Sequence, residues 1–454
     1  MEKNEIINLK IESISSDGNG VGHHDGMAVF VPFSAPGDIA DIKIVKVLNR
    51  YAFGIIDTLT QPSASRIEND CDAFPKCGGC AFRHIDYPTE LAVKHDFVTS
   101  ALKHIGNLDV EVHETLSAQC AERYRNKVQF PVFNNGGKLD IGFFAPRSHR
   151  VVSARDCRLQ PKIVNKIAVD VCRILSELGV TAYDEAAQKG ELRHIFVRTS
   201  NATGRIMLCL VVNAQGFRGE QRFVREIAEL YPEIETVVVN INQKNTNVIL
   251  GDSVRVIHGC GYLSDELCGV AARLSPFSFF QINHAAAEIL YHKISELAGA
   301  GRDDTVLDMY CGAGTIGLSL AKSVKKVIGV EIVPDTVKDA CYNAQTMQAH
   351  NCEFIAADAL LAARQLIARK EKIDVAVVDP PRKGCSPETL DALVSLSPKR
   401  IVMVSCNPAT FARDLAYLAG AGYTPGDVWP VDMFPRTKHV EAVCVLKSCN
   451  FKDK

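Results

Sequence analysis

Between residues 6 and 60, apolar and polar positions alternate with a period of two through INLKIESI, MAVFVPF, IADIKIVKVL and AFGIIDTL. This pattern predicts short strands with one buried face. The glycine-rich DGNGVG and the SAPGD between them read as turns, so the stretch is expected to form a small antiparallel barrel. The polar QPSASRIEND reads as a linker. From 71 to about 270 the signals mix. Helical periodicity covers roughly 88–105, a hairpin turns at Asn134-Asn135-Gly136-Gly137, and HIFVRTS, RIMLCLVV and TVVVNIN read as strands. From 285 onward apolar strands (TVLDMY, KVIGVE, CEFIAAD, DVAVVDPP, RIVMVSC) alternate with helix-length segments, which predicts a parallel sheet with helices on both faces. The chain is thus expected to be a multidomain α/β protein, with a barrel over 1–65, an α+β domain over 66–270 and a Rossmann-like domain over 271–454.

Composition changes this picture little. A chain of 454 residues with 47% apolar and 23% charged residues is neither disordered nor fibrous. The charged start MEKNEIINLKIES, and the lack of any apolar run near the ~18 residues that a bilayer requires, argue against a signal peptide or membrane span. Sixteen cysteines, most of them alone in apolar segments, suit a reducing, cytoplasmic setting. The exception is the cluster at 71, 77 and 80. Net charge is −2, which does not announce a nucleic-acid binder, but residues 123–158 hold eight arginines and lysines against two aspartates. That surplus is a candidate phosphate grip.

Candidate chemistry concentrates in the last domain. TVLDMY runs into Cys311-Gly312-Ala313-Gly314-Thr315-Ile316-Gly317 and a helix, the strand-turn-helix setting that G-x-G-x-x-G needs. Glu331 lies nineteen residues after Gly312, where a ribose hydroxyl pair would be held. Both NAD and S-adenosylmethionine proteins use this arrangement. Asp358, which could accept from an adenine amino group, and Asp379 of DPPR, beside where a reactive methyl would lie, point to S-adenosylmethionine. Cys406 ends the fifth strand, at the edge where ligands bind in such sheets, and Glu441 precedes the apolar AVCVL. A thiolate, a carboxylate and a methyl donor suit methylation at C5 of uracil. Thiolate addition at C6 makes C5 nucleophilic, and a base must then remove the C5 proton.

DMYCGAGTIG, DPPRKG, SCNPATFARDL and FPRTKHVEAV, with SPFSFFQIN ahead of them, resemble the RNA (uracil-5-)-methyltransferases, and within them the members with a TRAM barrel and an iron-sulfur cluster. The resemblance implies Cys406 as nucleophile, Glu441 as base, Asp379 near the uracil, and Gln281, Tyr310, Glu331 and Asp358 around S-adenosylmethionine. GNGVG, FVPFSAPGD and PSASR resemble a TRAM domain, an OB-like surface suited to RNA. Cys71, Cys77, Cys80 and Cys157 resemble the family's 4Fe-4S ligands, although four thiolates by themselves suit iron-sulfur or zinc. The cluster is expected to organise the RNA domain and take no part in catalysis. Residues 1–70 carry six basic against ten acidic residues, so the grip is expected mainly from the basic stretch, including Arg123, Arg125 and Lys127. In the family the helix near 88–105 can pack with the catalytic domain. Because barrel and cluster occur together, the resemblance favours large-subunit (23S) ribosomal RNA over transfer RNA. No obligate protein partner is evident. Two other readings remain open here: a methylase of an exocyclic amine, which would need no cysteine and would prefer an aromatic where Arg382 stands, and a non-catalytic RNA-binding or redox-sensing protein.

Overall fold

In the computed structural model, which describes residues 1–449, six strands form the N-terminal sheet in the order Ile6–Lys10, Ile39–Val47, Tyr51–Gln61, Met27–Pro32, Asn19–His24, Ser13–Ile14. Ile7, Leu9, Val29, Val31, Ile42 and Ile44 fill its core. The glycine-rich stretch expected to be a turn is largely strand: Asn19–His24 pairs with Met27–Pro32. Glycine is depleted in strands, but here it answers to a close approach. A Cβ on Gly20 would lie 1.9 Å from Ser34 Oγ, and one on Gly22 would lie 2.3 Å from the Lys10 carbonyl. The following linker is tied down, since the Asp38 carboxylate accepts from the Ser63 N–H at 2.9 Å and from the Arg66 guanidinium at 2.7 and 2.8 Å.

The middle sheet has seven strands in the order Ser253–His258, Ile234–Ile241, Ile206–Val212, Leu192–Thr199, Lys127–Asn135, Lys138–Phe144, Val151–Ser153. Its central strands are buried on both faces, which is why RIMLCLVV shows no alternation. Leu208, Leu210 and Val212 pack against the helices Lys162–Glu177 and Glu220–Leu230, whereas Met207, Cys209 and Val211 share a core with Leu290 and Val404 of the C-terminal part.

The C-terminal sheet also has seven strands, ordered Cys352–Ala356, Lys326–Glu331, Thr305–Met309, Val375–Val378, Arg400–Ser405, Glu441–Ser448, Tyr423–Val431. All neighbours are parallel except that Glu441–Ser448 runs against both of its neighbours. Strand order reverses beside Thr305–Met309, which opens a crevice at its carboxyl end. The helix Tyr87–Ala101, capped by Asp86 accepting from the Thr89 N–H at 2.7 Å, packs Val93, Phe97 and Val98 into this sheet's core with Leu415 and Val428. Val112 and Leu116 then bridge to Val428 and Val431. Among the described residues no helix is long and apolar enough to cross a membrane.

Candidate active site

Reading across the carboxyl edge of the C-terminal sheet places the candidate residues one per strand end. Asp358 follows Cys352–Ala356, Glu331 closes the next strand, Tyr310 follows Thr305–Met309, Asp379 follows Val375–Val378, and Cys406 follows Arg400–Ser405. Because Ser405 pairs with Ala442 in the antiparallel register, Cys406 comes opposite Glu441, the first residue of its strand. Asp379, Cys406 and Glu441 therefore stand at three adjacent strand ends.

On the other half of the edge, the turn is shaped for a ligand. Tyr310 and Gly312 have left-handed φ of 68° and 53°. A Cβ on Gly312 would meet nothing within 4 Å, so the crevice above the turn stays clear. The Gly312 N–H donates to Glu331 Oε2 at 3.3 Å, and the Val333 N–H to Oε1 at 2.9 Å, which aims the Glu331 carboxylate at the turn. Gly314 begins the helix Thr315–Leu320, packed so close to Phe354 that a Cβ would come within 2.9 Å. Gly317 donates its N–H to Asp308 Oδ2 at 2.7 Å, while Asp308 Oδ1, buried, has no partner. Burial pushes Asp308 up to about 7. The exposed Asp358 caps the helix Ala359–Ala368 through the Leu360 N–H at 3.0 Å, and Gln281 accepts from Asn126 through its carbonyl at 2.9 Å. These residues fit an adenosyl ligand lying over the glycine turn.

The half of the edge that holds Asp379, Cys406 and Glu441 is acidic, with the Arg382 guanidinium beside it. Burial, then the neighbouring Asp379 carboxylate, raises Glu441 to about 8, and Arg382 opposes this. Burial lifts Asp379 to about 6. Cys406 is pushed up to about 11 by burial, Glu441 and Asp379, again with Arg382 acting downward. Arg382 also donates from Nη2 to His439 Nε2 at 3.3 Å, and its carbonyl accepts from Asn407 Nδ2 at 3.0 Å. Burial and the Arg382 and Lys438 cations lower His439 to about 4, so this imidazole is neutral.

Sequence comparison decides what such an edge belongs to. The family described as tRNA (Uracil-5-)-methyltransferase matches residues 86–449, and the TRAM domain matches residues 2–56. The chain belongs to the RNA (uracil-5-)-methyltransferase family. An uncharacterized RNA methyltransferase of Oceanobacillus iheyensis is 40% identical over 98% of this chain and 97% of its own, and one of Clostridium tetani is 39% identical over 100% and 99%. The crystal structure of Pyrococcus abyssi tRNA (uracil-54, C5)-methyltransferase with S-adenosyl-L-homocysteine superposes with a TM-score of 0.77 at 26% identity, covering 97% of this chain and 99% of that one. The protein is thus an S-adenosylmethionine-dependent RNA methyltransferase with an N-terminal TRAM domain.

In this uracil-5-methyltransferase the cysteines Cys71, Cys77, Cys80 and Cys157 line one cavity of about 110 Å³, with Phe74 and Phe143. None forms a disulfide. Burial raises the Cys80 thiol to about 12 and lifts Cys77 and Cys157, and the neighbouring Cys71, Cys77 and Cys157 add to the rise at Cys80. The Gly79 N–H donates to Cys77 Sγ at 3.3 Å. Among the described residues no group of three or more His, Cys, Asp or Glu side chains is placed to hold a metal ion, so the expected cluster ligands are not brought into a ready metal site.

The basic stretch is less free than its composition suggests. Arg123 holds Asp156 through both terminal nitrogens at 2.7 and 3.0 Å and donates to the Cys157 and Gln160 carbonyls, so it serves the fold around Cys157. Arg155 is bound to Asp140, and Arg158 to Asp70. Arg125 and Lys127 have no acidic partner among the described residues, and burial lowers Lys127 to about 8.

Sequence reasoning missed one functional group of residues. Lys94, 0% exposed, donates to Glu90 Oε1 and Asp432 Oδ1, each at 2.7 Å, and to the Phe434 carbonyl at 3.2 Å. Tyr87 Oη donates to Asp432 at 2.9 Å, and the Arg436 N–H to Glu90 at 2.6 Å. This buried network clamps the 432–437 loop that leads to His439 and Glu441. The available signal was a Glu–Lys pair four apart on a helix, which ordinarily marks a solvated face.

Proposed function

We propose that the protein forms 5-methyluridine in RNA by covalent catalysis, with Cys406 as nucleophile, Glu441 as base and Asp379 beside the uracil. The carrying observation is the convergence of these three side chains at adjacent strand ends, where burial raises all three and neighbouring carboxylates add to the rise at Glu441 and Cys406. S-adenosylmethionine, held by Gln281, Tyr310, Gly312, Gly314, Glu331, Asp358 and Asp379, supplies an electrophilic methyl group. Cys406, once deprotonated with help from the Arg382 charge, adds to C6, and the electron pair moves onto O4. C5 then takes the methyl group. Glu441 accepts the C5 proton, the C6–S bond breaks, and the ring recovers its double bond as the thiolate leaves. Asp379 and Glu441 repel each other, so the pair retains a proton near neutrality.

The same reading assigns residues 1–65 to the TRAM domain, 66–270 to an RNA-binding domain and 271–454 to the catalytic domain, with residues 86–118 packed onto the last. Cys71, Cys77, Cys80 and Cys157 hold a 4Fe-4S cluster. Four thiols lining one cavity suit an iron-sulfur cluster or a zinc ion, and the family resemblance favours the cluster. Arg125 and Lys127 grip phosphate, and Arg123 supports them from within. The setting is a reducing cytoplasm, where these thiols stay reduced.

Ribosomal RNA is the proposed substrate, because barrel and cysteine cluster occur together. A second reading, transfer RNA, is favoured by the full-length likeness to the Pyrococcus abyssi enzyme. Mass spectrometry of nucleosides from separated ribosomal and transfer RNA, with and without the gene, tests both. Loss of 5-methyluridine from one ribosomal site is expected, loss only from transfer RNA would favour the second reading, and no loss from either would overturn both.

A further inference from the structure

Over its central strands, one face of the middle sheet is covered by the catalytic domain, through Phe196, Met207, Cys209 and Val211. Beside them this face is only partly covered. Gln129 pairs with Phe196 and Pro131 with His194, so Lys127, Gln129, Pro131 and Phe133 carry the same face outward along their strand. There they line a hollow of about 280 Å³ that continues into one of about 760 Å³, the two meeting at Pro131, Phe144 and His194. The near end includes Ile282, next to Gln281. The far end holds Phe133, Tyr183 and Arg150. From Lys127 to Phe133 the strand runs ~20 Å, the reach of a few extended nucleotides.

Chemistry changes along this channel. Its near end carries Arg125, whose buried Nε has no acceptor, and the unpaired Lys127. At the waist, His194 is 7% exposed and neither ring nitrogen has a partner, leaving one donor and one acceptor unused in the neutral ring. The far end is aromatic. Arg193 lies 4.4 Å over one side of the Tyr183 ring, and Arg150 is exposed without an acidic partner. The two acids there are engaged: Glu185 holds His149 at 2.9 Å, and Asp184 accepts from the Ala186 and Ala187 N–H groups.

We infer that this channel binds the single strand flanking the target uridine, with phosphates on Arg125, Lys127 and Arg150 and a base remote from the target stacked at Tyr183 and Phe133. Aromatic platforms interleaved with cations suit unpaired nucleotides, whereas base faces in a duplex are unavailable. The inference rests on the protein's acting on RNA and adds a site far from the methylated base.

Fluorescence anisotropy with single-stranded oligo(U) tests it on the whole protein. Tyr183→Ala and Phe133→Ala should each weaken binding roughly 5- to 150-fold, as loss of one stacked base implies, with S-adenosylmethionine binding unchanged. Tyr183→Phe should bind as wild type, and Arg150→Gln should lower the salt slope by about one. Wild-type affinity in both alanine variants would overturn the channel, as would an equal loss in Tyr183→Phe. Methylation of ribosomal and transfer RNA by the same protein is read separately by mass spectrometry. Channel effects without any 5-methyluridine would sink the catalytic reading alone, and methylation without channel effects would sink only the channel.

Discussion

In the proposed mechanism Glu441 and Cys406 act deprotonated, yet the folded site holds both protonated near neutrality. The rate constant kcat/KM should therefore rise with pH through about 8, where Glu441 ionises, and keep rising as thiolate accumulates toward about 11. A profile flat across pH 8 would contradict the assignment. Stability should move the opposite way. The unfolded chain releases the Glu441 proton near the ordinary value of 4.5, whereas the folded chain retains it up to about 8. The folded state thus binds more protons over that interval, and this site's contribution to stability falls as pH rises from 4.5 to 8. Glu441→Gln removes the repulsion with Asp379, so its melting temperature should exceed wild type at pH 8 and match it at pH 4, as thermal melts would show. Among the candidate cations, Arg125→Gln and Lys127→Gln should each flatten the salt dependence of RNA binding by about one in slope. Arg123→Gln should instead lower stability, because that side chain is spent on Asp156 and two carbonyls.

Secondary elements show how far periodicity carries. The parallel strands and the glycine turn were legible because apolar runs ended at residues with evident chemistry. The strand Asn19–His24 was not, since its glycines are set by Ser34 and Lys10, which only the folded barrel brings near. The strand Tyr423–Val431 hid behind Pro425, Gly426 and Pro430, and it breaks register between Pro425 and Val428. The helix Tyr87–Ala101 was visible, but its inward face was obscured because Glu90 and Lys94 are fully buried. Lys94→Met should cost about 3–5 kcal/mol by removing the ammonium that neutralises Glu90 and Asp432 in the core, measured by denaturant titration. Gly317→Ala should cost about 1–3 kcal/mol, because its Cβ would lie 2.8 Å from Val327 and 2.9 Å from Asp308.

At the scale of the molecule, the 432–437 loop leads to the strand-end edge. The cysteine cavity adjoins it: Cys80 precedes Ala81, whose N–H donates to the Arg436 carbonyl at 2.8 Å, and Tyr124 Oη donates to the Pro435 carbonyl at 2.9 Å. The segments lining the cavity are therefore hydrogen-bonded to the loop leading to Glu441. Anaerobically purified protein should be brown with about four irons per chain. Cys157→Ala should lose iron and weaken RNA binding more than S-adenosylmethionine binding, and stoichiometric zinc without iron would overturn the cluster. Four cysteines could be matched to a family pattern in sequence, but their shared cavity and their contact with the catalytic loop exist only in the fold.

Covalent catalysis is tested most directly by trapping, because the two residues act at successive steps. Glu441→Gln, incubated with substrate RNA and S-adenosylmethionine, should accumulate a methylated protein–RNA adduct that survives denaturing electrophoresis. Cys406→Ala should give neither adduct nor 5-methyluridine while still binding both ligands. Methylation by Cys406→Ala at a rate near wild type would contradict the thiolate mechanism outright.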